Sequence, residues 1–346
     1  MYYENKIETL SEIFGTSEIE LTELYLNVSG KIFPIIDDVI ITLKPHQIPS
    51  HITAETNLLN EEEEIDSSIG EDPHYPLDKE WRIAKDIQST FGKEWKIYNE
   101  ILPEHFEEFK RYFDIIDLKS LESKRICDLG CGIGRWSYFM KDIAKEIVLV
   151  DFSESIFEAR KNLSGSDNMI FILGDILDLP FQDDTFDFVF SLGVLHHIPR
   201  PALQSVRDIS RLAPQFLVYI YYALDNRGNR FKSIFFIINL IRKLASRINS
   251  PIARSILTEV FLWLLYMPPI TTGKIWSRLG FNTSKIPLYP FYEHMSLGRI
   301  RQDVYDRFFT RIEQRVSKEE IYKLSDTFSE VTISDSLPFW HFSCRR

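Results

Sequence analysis

Cysteine is scarce in this 346-residue chain. Only Cys127, Cys131 and Cys344 are present, which gives no disulfide framework and no zinc pattern, so no metal is expected. That usage suits a reducing compartment, and the opening residues M-Y-Y-E-N-K-I-E carry no apolar leader, so the expected setting is the cytoplasm. Long hydrophobic runs are missing too: no stretch reaches the ~18 consecutive apolar residues of a spanning helix. Positive charge is not in excess. Forty Lys and Arg against 51 Asp and Glu leave a net charge of −11, which argues against a nucleic-acid partner, because phosphate affinity rests on clustered cations. No internal repeat is visible. What the chain does have is length enough to bury an α/β core and carry additional elements.

The organising stretch is R-I-C-D-L-G-C-G-I-G-R-W, Arg125 to Trp136. Ile126, Cys127 and Leu129 read as the end of a buried strand. Gly130, Gly132 and Gly134 follow at alternate positions, and Trp136, Phe139, Met140 and Ile143 then have helical spacing. Glycine is needed where backbone approaches a ligand closely or takes positive φ. A helix start behind such a turn favours negative charge. A dinucleotide turn wants G-x-G-x-x-G. Here Arg135 stands where that third glycine belongs.

D-L-G-C-G-I-G resembles the first motif of the class I S-adenosylmethionine-dependent methyltransferases, and three later positions match at the right distances. The second strand, E-I-V-L-V, ends at Asp151, 21 residues after Gly130, where a carboxylate can accept both ribose hydroxyls. Met169–Leu173 leads to Gly174-Asp175-Ile176, whose acid resembles the family residue that accepts the adenine amino group. Phe186–Ser191 is a fourth strand and Phe216–Tyr222 a fifth. The resemblance implies an α/β fold, a Rossmann-like, mostly parallel sheet with an antiparallel last strand, and S-adenosyl-L-methionine as cofactor. The donor-binding candidates are Asp128, Gly130, Cys131, Gly132, Gly134, Trp136, Asp151, Phe152, Asp175, Ile176, Ser191 and His196. One departure is R-L-A-P-Q before strand five, where the family has K-P-G-G.

Six segments are expected: 1–50, a small separate β-rich unit; 51–77, an acidic linker; 78–121, helices covering the donor site; 122–224, the donor-binding core; 225–316, an insertion on the acceptor side; and 317–346, a closing helix and hairpin behind the Ser317–Glu320 capping box. G-K-I-F-P-I-I-D-D-V-I in the first unit resembles the closing half of a zinc-ribbon-like domain. Leu26 and Ser29 stand where that family has cysteines, so the unit reads better as a β-rich cap or a homodimer contact. Phe91, Trp95 and Tyr98 share one helical face. That stripe reads first as core, although F-G-K-E-W-K-I-Y also resembles a helix that covers the methyl donor in several methyltransferases.

From Arg227 through Thr258 the insertion carries seven basic residues and no acidic one. These are Arg227, Arg230, Lys232, Arg242, Lys243, Arg247 and Arg254, interleaved with I-F-F-I-I-N-L-I. Such helices either form a buried subdomain with a solvated rim or make a peripheral contact with the membrane over 227–267, at its inner face. Y-Y-A-L-D-N, P-L-Y-P-F-Y, D-R-F-F-T-R-I-E-Q-R and P-F-W together resemble a bacterial methyltransferase group linked to surface-glycan or lipid-glycan biosynthesis.

The implied reaction is in-line methyl transfer to a small molecule or a glycan or lipid-linked acceptor. His196 and His197 follow strand four and are the candidate catalytic bases, with a helix-capping role the simpler reading of His197. Tyr221, Tyr222, Tyr292, Asp306 and Arg307 are candidates for holding a polar acceptor. The alternatives are a catalytically silent donor-binding scaffold and an RNA methyltransferase.

Overall fold

The computed structural model describes residues 1–49, 52, 79–284 and 286–346. The acidic linker expected at 51–77 lies outside the described residues, Ile52 excepted. Eleven strands form one sheet among the described residues: β1 (Ile19–Leu21), β2 (Tyr25–Val28), β3 (Lys31–Ile36), β4 (Val39–Ile41), β5 (Arg125–Leu129), β6 (Glu146–Asp151), β7 (Met169–Leu173), β8 (Phe188–Leu192), β9 (Gln215–Tyr219), β10 (Glu330–Ile333) and β11 (Phe342–Arg345). Their order is β1-β2-β3-β4-β7-β6-β5-β8-β9-β11-β10. From β4 through β9 every pairing is parallel. The β11 strand runs antiparallel between β9 and β10. This is the α/β, Rossmann-like sheet, parallel at its centre and antiparallel at its last strand, that the resemblance implies.

The central strands are apolar almost throughout because helices cover both faces. Every residue of β6, β7 and β8 is buried. On one face pack α1 (Ile7–Phe14) and α6 (Ala202–Ile209); the other takes α3 (Glu104–Tyr112), α4 (Arg135–Met140) and α5 (Ser155–Asn162), and α2 (Lys79–Ile97) lies against α5. The closing helix α12 (Lys318–Tyr322) starts at the Ser317–Glu320 capping box, which is formed reciprocally.

The N-terminal unit differs from expectation in one respect. Its predicted strands are present, but it is not separate. The β4 strand pairs in parallel with β7, Val39 to Phe171 and Ile41 to Leu173. Buried Tyr3 accepts from the Phe171 N–H at 3.1 Å, and Arg160 pairs with Asp38 at 2.8 Å. Leu10, Ile13, Leu26 and Phe33 belong to the same core cluster as Cys127 and Val148. No local pattern marks a parallel pairing across more than 120 residues of chain.

The insertion builds a second core from α7 (Asn229–Ala245), α8 (Pro251–Phe261), α9 (Met267–Arg278), α10 (Tyr289–Tyr292) and α11 (Leu297–Phe309). A π-helical turn, Leu262–Tyr266, joins α8 to α9. The resulting 28-residue helix is long and apolar enough to cross a membrane by length and composition, although no unbroken apolar run announces it. The seven clustered cations also divide. Arg242 and Arg254 are buried; the first donates to the Thr310 carbonyl at 2.9 Å and the second to Ile248 at 2.6 Å. Arg227 donates to the Tyr222 hydroxyl at 3.3 Å. Lys232, Lys243 and Arg247 are exposed.

Candidate active site

Strand order reverses between β5 and β8, and open α/β sheets bind ligands beyond the strand ends at that point. A cavity of about 360 Å³ opens there, within the ordinary range for small-molecule sites. Its floor is the turn after β5. Gly130 has φ +80°, and a Cβ on it would lie 2.4 Å from a Val194 methyl. Gly132 has φ +55°, and its Cβ would meet the Trp95 indole at 3.3 Å. The substitution Gly130→Ala therefore combines a left-handed backbone penalty with overpacking. Unfolding experiments are expected to show a loss of at least about 2 kcal/mol; wild-type stability would mean that the turn and Val194 relax freely.

Asp151 closes the next strand end. Its Oδ2 accepts from the Gly132 N–H at 2.8 Å. Its Oδ1 accepts from the Ser153 N–H at 2.8 Å and from its hydroxyl at 2.7 Å. Burial raises this carboxyl, and the same hydrogen bonds pull it back. Beyond β7, Asp175 accepts from Leu177 N–H at 3.0 Å and from the Gln47 amide at 2.9 Å. Gln47 comes from the N-terminal unit, and Gln88 of α2 joins it to the Phe152 carbonyl at 2.7 Å. Cys131, Phe152 and Ile176 also line the cavity. So do Phe91 and Trp95, which places these two members of the α2 stripe, though not Tyr98, over the site.

Other expected donor contacts fall elsewhere. Asp128 does not line the cavity; it accepts from the Ser137 hydroxyl at 2.7 Å, and burial pushes its carboxyl up to about 8. Gly134 leaves room for Leu163 and Ala159 instead of a ligand. The Ser191 hydroxyl donates to the Leu129 carbonyl at 2.9 Å, away from the cavity. These three carry the turn and the strand ends. Trp136 is where it was expected, on the cavity wall.

Arg135, the residue that breaks the dinucleotide pattern, has a role that sequence reading missed. Its guanidinium lies over Trp136 at 4.4 Å and Trp95 at 5.1 Å. Burial lowers its pKa, and Nη1 is buried with no hydrogen-bond partner among the described residues. An orphaned cation beside a glycine turn suits a carboxylate. The signal was its place at the first position of α4, where an anion is already favoured.

The two histidines exchange roles. His196 is fully buried behind the wall, packed at a tilt against Tyr221 and His197 with centroids 4.0 Å apart in each case. Burial, then the neighbouring His197, pushes its pKa well down, so it is a neutral packing group without access to the cavity. His197 lines the cavity. Its Nδ1 is 2.7 Å from the Ile312 carbonyl. A carbonyl only accepts, so in the neutral ring Nδ1 carries the proton and Nε2 the lone pair. That Nε2 is buried without a partner among the described residues.

The insertion supplies another part of the wall. The acceptor-holding candidates Tyr221, Tyr222, Tyr292, Asp306 and Arg307 all line the cavity. Tyr292 donates to Asp303 at 2.9 Å and Tyr221 to Asp306 at 3.4 Å. Arg299, Asp303 and Arg315 were missed. The spacing of Arg299, Asp303, Asp306 and Arg307 along α11 puts all four on one face, a signal available in the sequence. Arg299 is tied to Glu108 and Asp303, and Arg315 to Glu313. Arg307 makes no ion pair or side-chain hydrogen bond among the described residues; it lies over the Tyr221 ring at 5.7 Å.

A family model described as a methyltransferase domain matches residues 126–214. A demethylmenaquinone methyltransferase of Clavibacter sepedonicus is 38% identical over 86 residues, 24% of this chain and 35% of that protein. A mouse protein named "Probable tRNA methyltransferase 9B" is 29% identical over 130 residues, 36% of this chain and 28% of that protein. The chain thus spans about a third of the length of these curated relatives. A crystal structure of a SAM-dependent methyltransferase from Aquifex aeolicus covers 40% of this chain and 77% of its own, with 19% identity and a TM-score of 0.33. Residues 126–214 thus match a methyltransferase domain, and S-adenosylmethionine is the cofactor that this match supports.

Proposed function

We propose that the whole chain is an S-adenosylmethionine-dependent methyltransferase whose acceptor is a polar, anionic small molecule or glycan, free or lipid-linked. The observation that carries this reading is one continuous cavity lined by the glycine turn, Asp151, His197 and Arg307. The residues fit the donor. Asp151 and Asp175 would take its ribose and adenine, and Arg135 its carboxylate. Bound there, the donor supplies an electrophilic methyl that carries its own leaving group.

The chain's own residues supply position and a proton acceptor. Arg307 and the Asp306–Tyr221 pair hold the acceptor's charged and hydroxyl groups in register, which can replace a large part of the entropic barrier. His197 Nε2 takes the proton from the attacking O–H or N–H. Phe91 and Trp95 keep water off the site. Arg307 leaves a positive charge unpaired on the acceptor side, and this favours an anion. The motifs of the insertion that resemble the glycan-linked group support the same class. The relatives named as a demethylmenaquinone methyltransferase and a probable tRNA methyltransferase match only part of this chain, so they do not choose the acceptor.

The test is transfer of labelled methyl across sugar phosphates, acidic glycans, lipid-linked glycans, quinols and tRNA. Acidic glycans are expected to turn over. The substitution His197→Asn keeps a donor toward Ile312 but removes the base, and kcat is expected to fall by about 10²–10⁴ with donor affinity unchanged. Donor binding with no turnover on any acceptor would instead support the silent scaffold, and salt-sensitive tRNA methylation the RNA reading.

A further inference from the structure

The outer surface of the insertion is apolar where a folded surface should be polar. On α7, Lys232, Phe236, Ile237, Leu240, Lys243, Leu244 and the following Arg247 are all exposed, and at 100° per residue they form one continuous stripe. The opposite side of the same helix carries Phe231 and Phe235, which line the cavity. On α8 and the π-helical turn, Ile252, Ile256, Val260 and Trp263 repeat the pattern. Beyond them α9 ends in a tip where Trp276, Leu279 and Phe281 are exposed and flanked by Lys274 and Arg278. Phe236 is 70% exposed, Leu264 70% and Trp263 54%. Single exposed apolar residues are ordinary; contiguous sets of this size mark interaction surfaces.

Charge selects the partner. Between Asn226 and Tyr292 the only acidic residue is Glu259, and Arg301 neutralises it. Lys232, Lys243, Arg247, Lys274 and Arg278 make no ion pair among the described residues. A protein partner matched to this face would need an apolar ridge rimmed by acids. An anionic bilayer supplies both features at once, taking Trp, Phe and Leu into its interface and the cations against its headgroups.

We infer that this face docks peripherally on an anionic membrane leaflet. The long helix of α8 and α9 lies along the surface rather than through it, because Leu262, Tyr266 and Ile270 are buried against the insertion core. Docking does not depend on the transfer chemistry. Its consequence does rest on the proposed function: with Phe231 and Phe235 on the cavity wall and Phe236 and Leu240 on the outer face, a lipid-linked acceptor reaches the cavity across one helix.

The test sediments the full chain with vesicles of phosphatidylcholine alone or mixed with phosphatidylglycerol, at low and high salt. Binding is expected only with phosphatidylglycerol and to weaken with salt. Each cation near an anionic leaflet contributes ~1 kcal/mol, so Lys243→Gln with Arg247→Gln should weaken partition by about 30-fold. Trp276→Ser with Phe281→Ser should weaken binding while keeping its salt dependence. Donor affinity, measured on the same preparations, should not move, which separates failure of docking from failure of the methyltransferase reading. The inference is overturned if the protein stays in the supernatant with anionic vesicles at low salt, or binds neutral vesicles equally. It is also overturned if a second copy covers this face in solution, or if alkaline carbonate cannot extract the chain from membranes.

Discussion

Replacing Asp151 by alanine is expected to weaken S-adenosylmethionine binding by about 10- to 150-fold, the range set by losing a hydrogen bond to a charged group. The geometry refines the reason. A carboxylate offers about four acceptor positions. Here Ser153 takes two on Oδ1 and Gly132 one on Oδ2, so one position on Oδ2 remains for a ribose hydroxyl rather than the two contacts read from the sequence. Alanine removes that contact and also the clamp on the Gly132 N–H, which loosens the turn beside Trp95. Asp151→Asn keeps the volume and one acceptor oxygen, so its loss should be smaller. Titration calorimetry on folded variants is the measurement. A folded Asp151→Ala protein with unchanged affinity would remove Asp151 from the donor site.

The second large effect is on stability. Arg299 donates to both oxygens of Glu108 at 3.0 Å and also pairs with Asp303, and Arg299 and Glu108 are both buried. Burial alone would raise the Glu108 carboxyl; Arg299, by charge and hydrogen bonds, overrides it and holds it down at about 2. Arg299→Met leaves the buried Glu108 carboxylate, and the half-buried Asp303, without their partner, at a cost of about 3–5 kcal/mol. At about 2–4 °C per kcal/mol, the thermal midpoint should fall by about 10 °C. The sign of the pH dependence follows. Glu108 has a depressed pKa, so its contribution is complete above the ordinary carboxylate value of 4.5 and fades as pH falls toward about 2. The gap between wild type and variant should therefore narrow across that window. A gap that stays constant with pH would show that lost packing, not the ion pair, is responsible.

The donor half of the molecule was legible because its chemistry is local. A strand, three glycines and an acid at a fixed distance all fall within a short span, and the sheet then follows from the order of apolar strands. Legibility failed where neighbours distant in sequence decide. Nothing near Val39 says that it meets Phe171. His196 and His197 are adjacent in a short 3-10 turn, so which ring faces the cavity depends on Tyr221 and the Ile312 carbonyl, more than 20 residues away in each case. Arg242 and Arg254 count as surface charge in a sequence, yet Thr310 and Thr90 bind them in the interior. The α11 face was readable from its spacing. Its polar stripe looked like an ordinary solvated helix because the cavity it faces is not local to it.

The pairing of β4 with β7 also decides what the sheet can stick to. If the sheet ended at β7, the backbone of Met169–Leu173 would form an open, wholly apolar border, the kind that recruits strands from other chains. Residues 19–41 transfer that border outward to β1, which has three residues and presents Glu20 to solvent. The far border, β10, has four residues, with Glu330 and Thr332 exposed. Short, polar borders discourage cross-chain β-pairing. The N-terminal segment is thus a guard against aggregation as well as a supplier of Gln47, and a protein trimmed to its methyltransferase core would be expected to precipitate before its chemistry could be assayed.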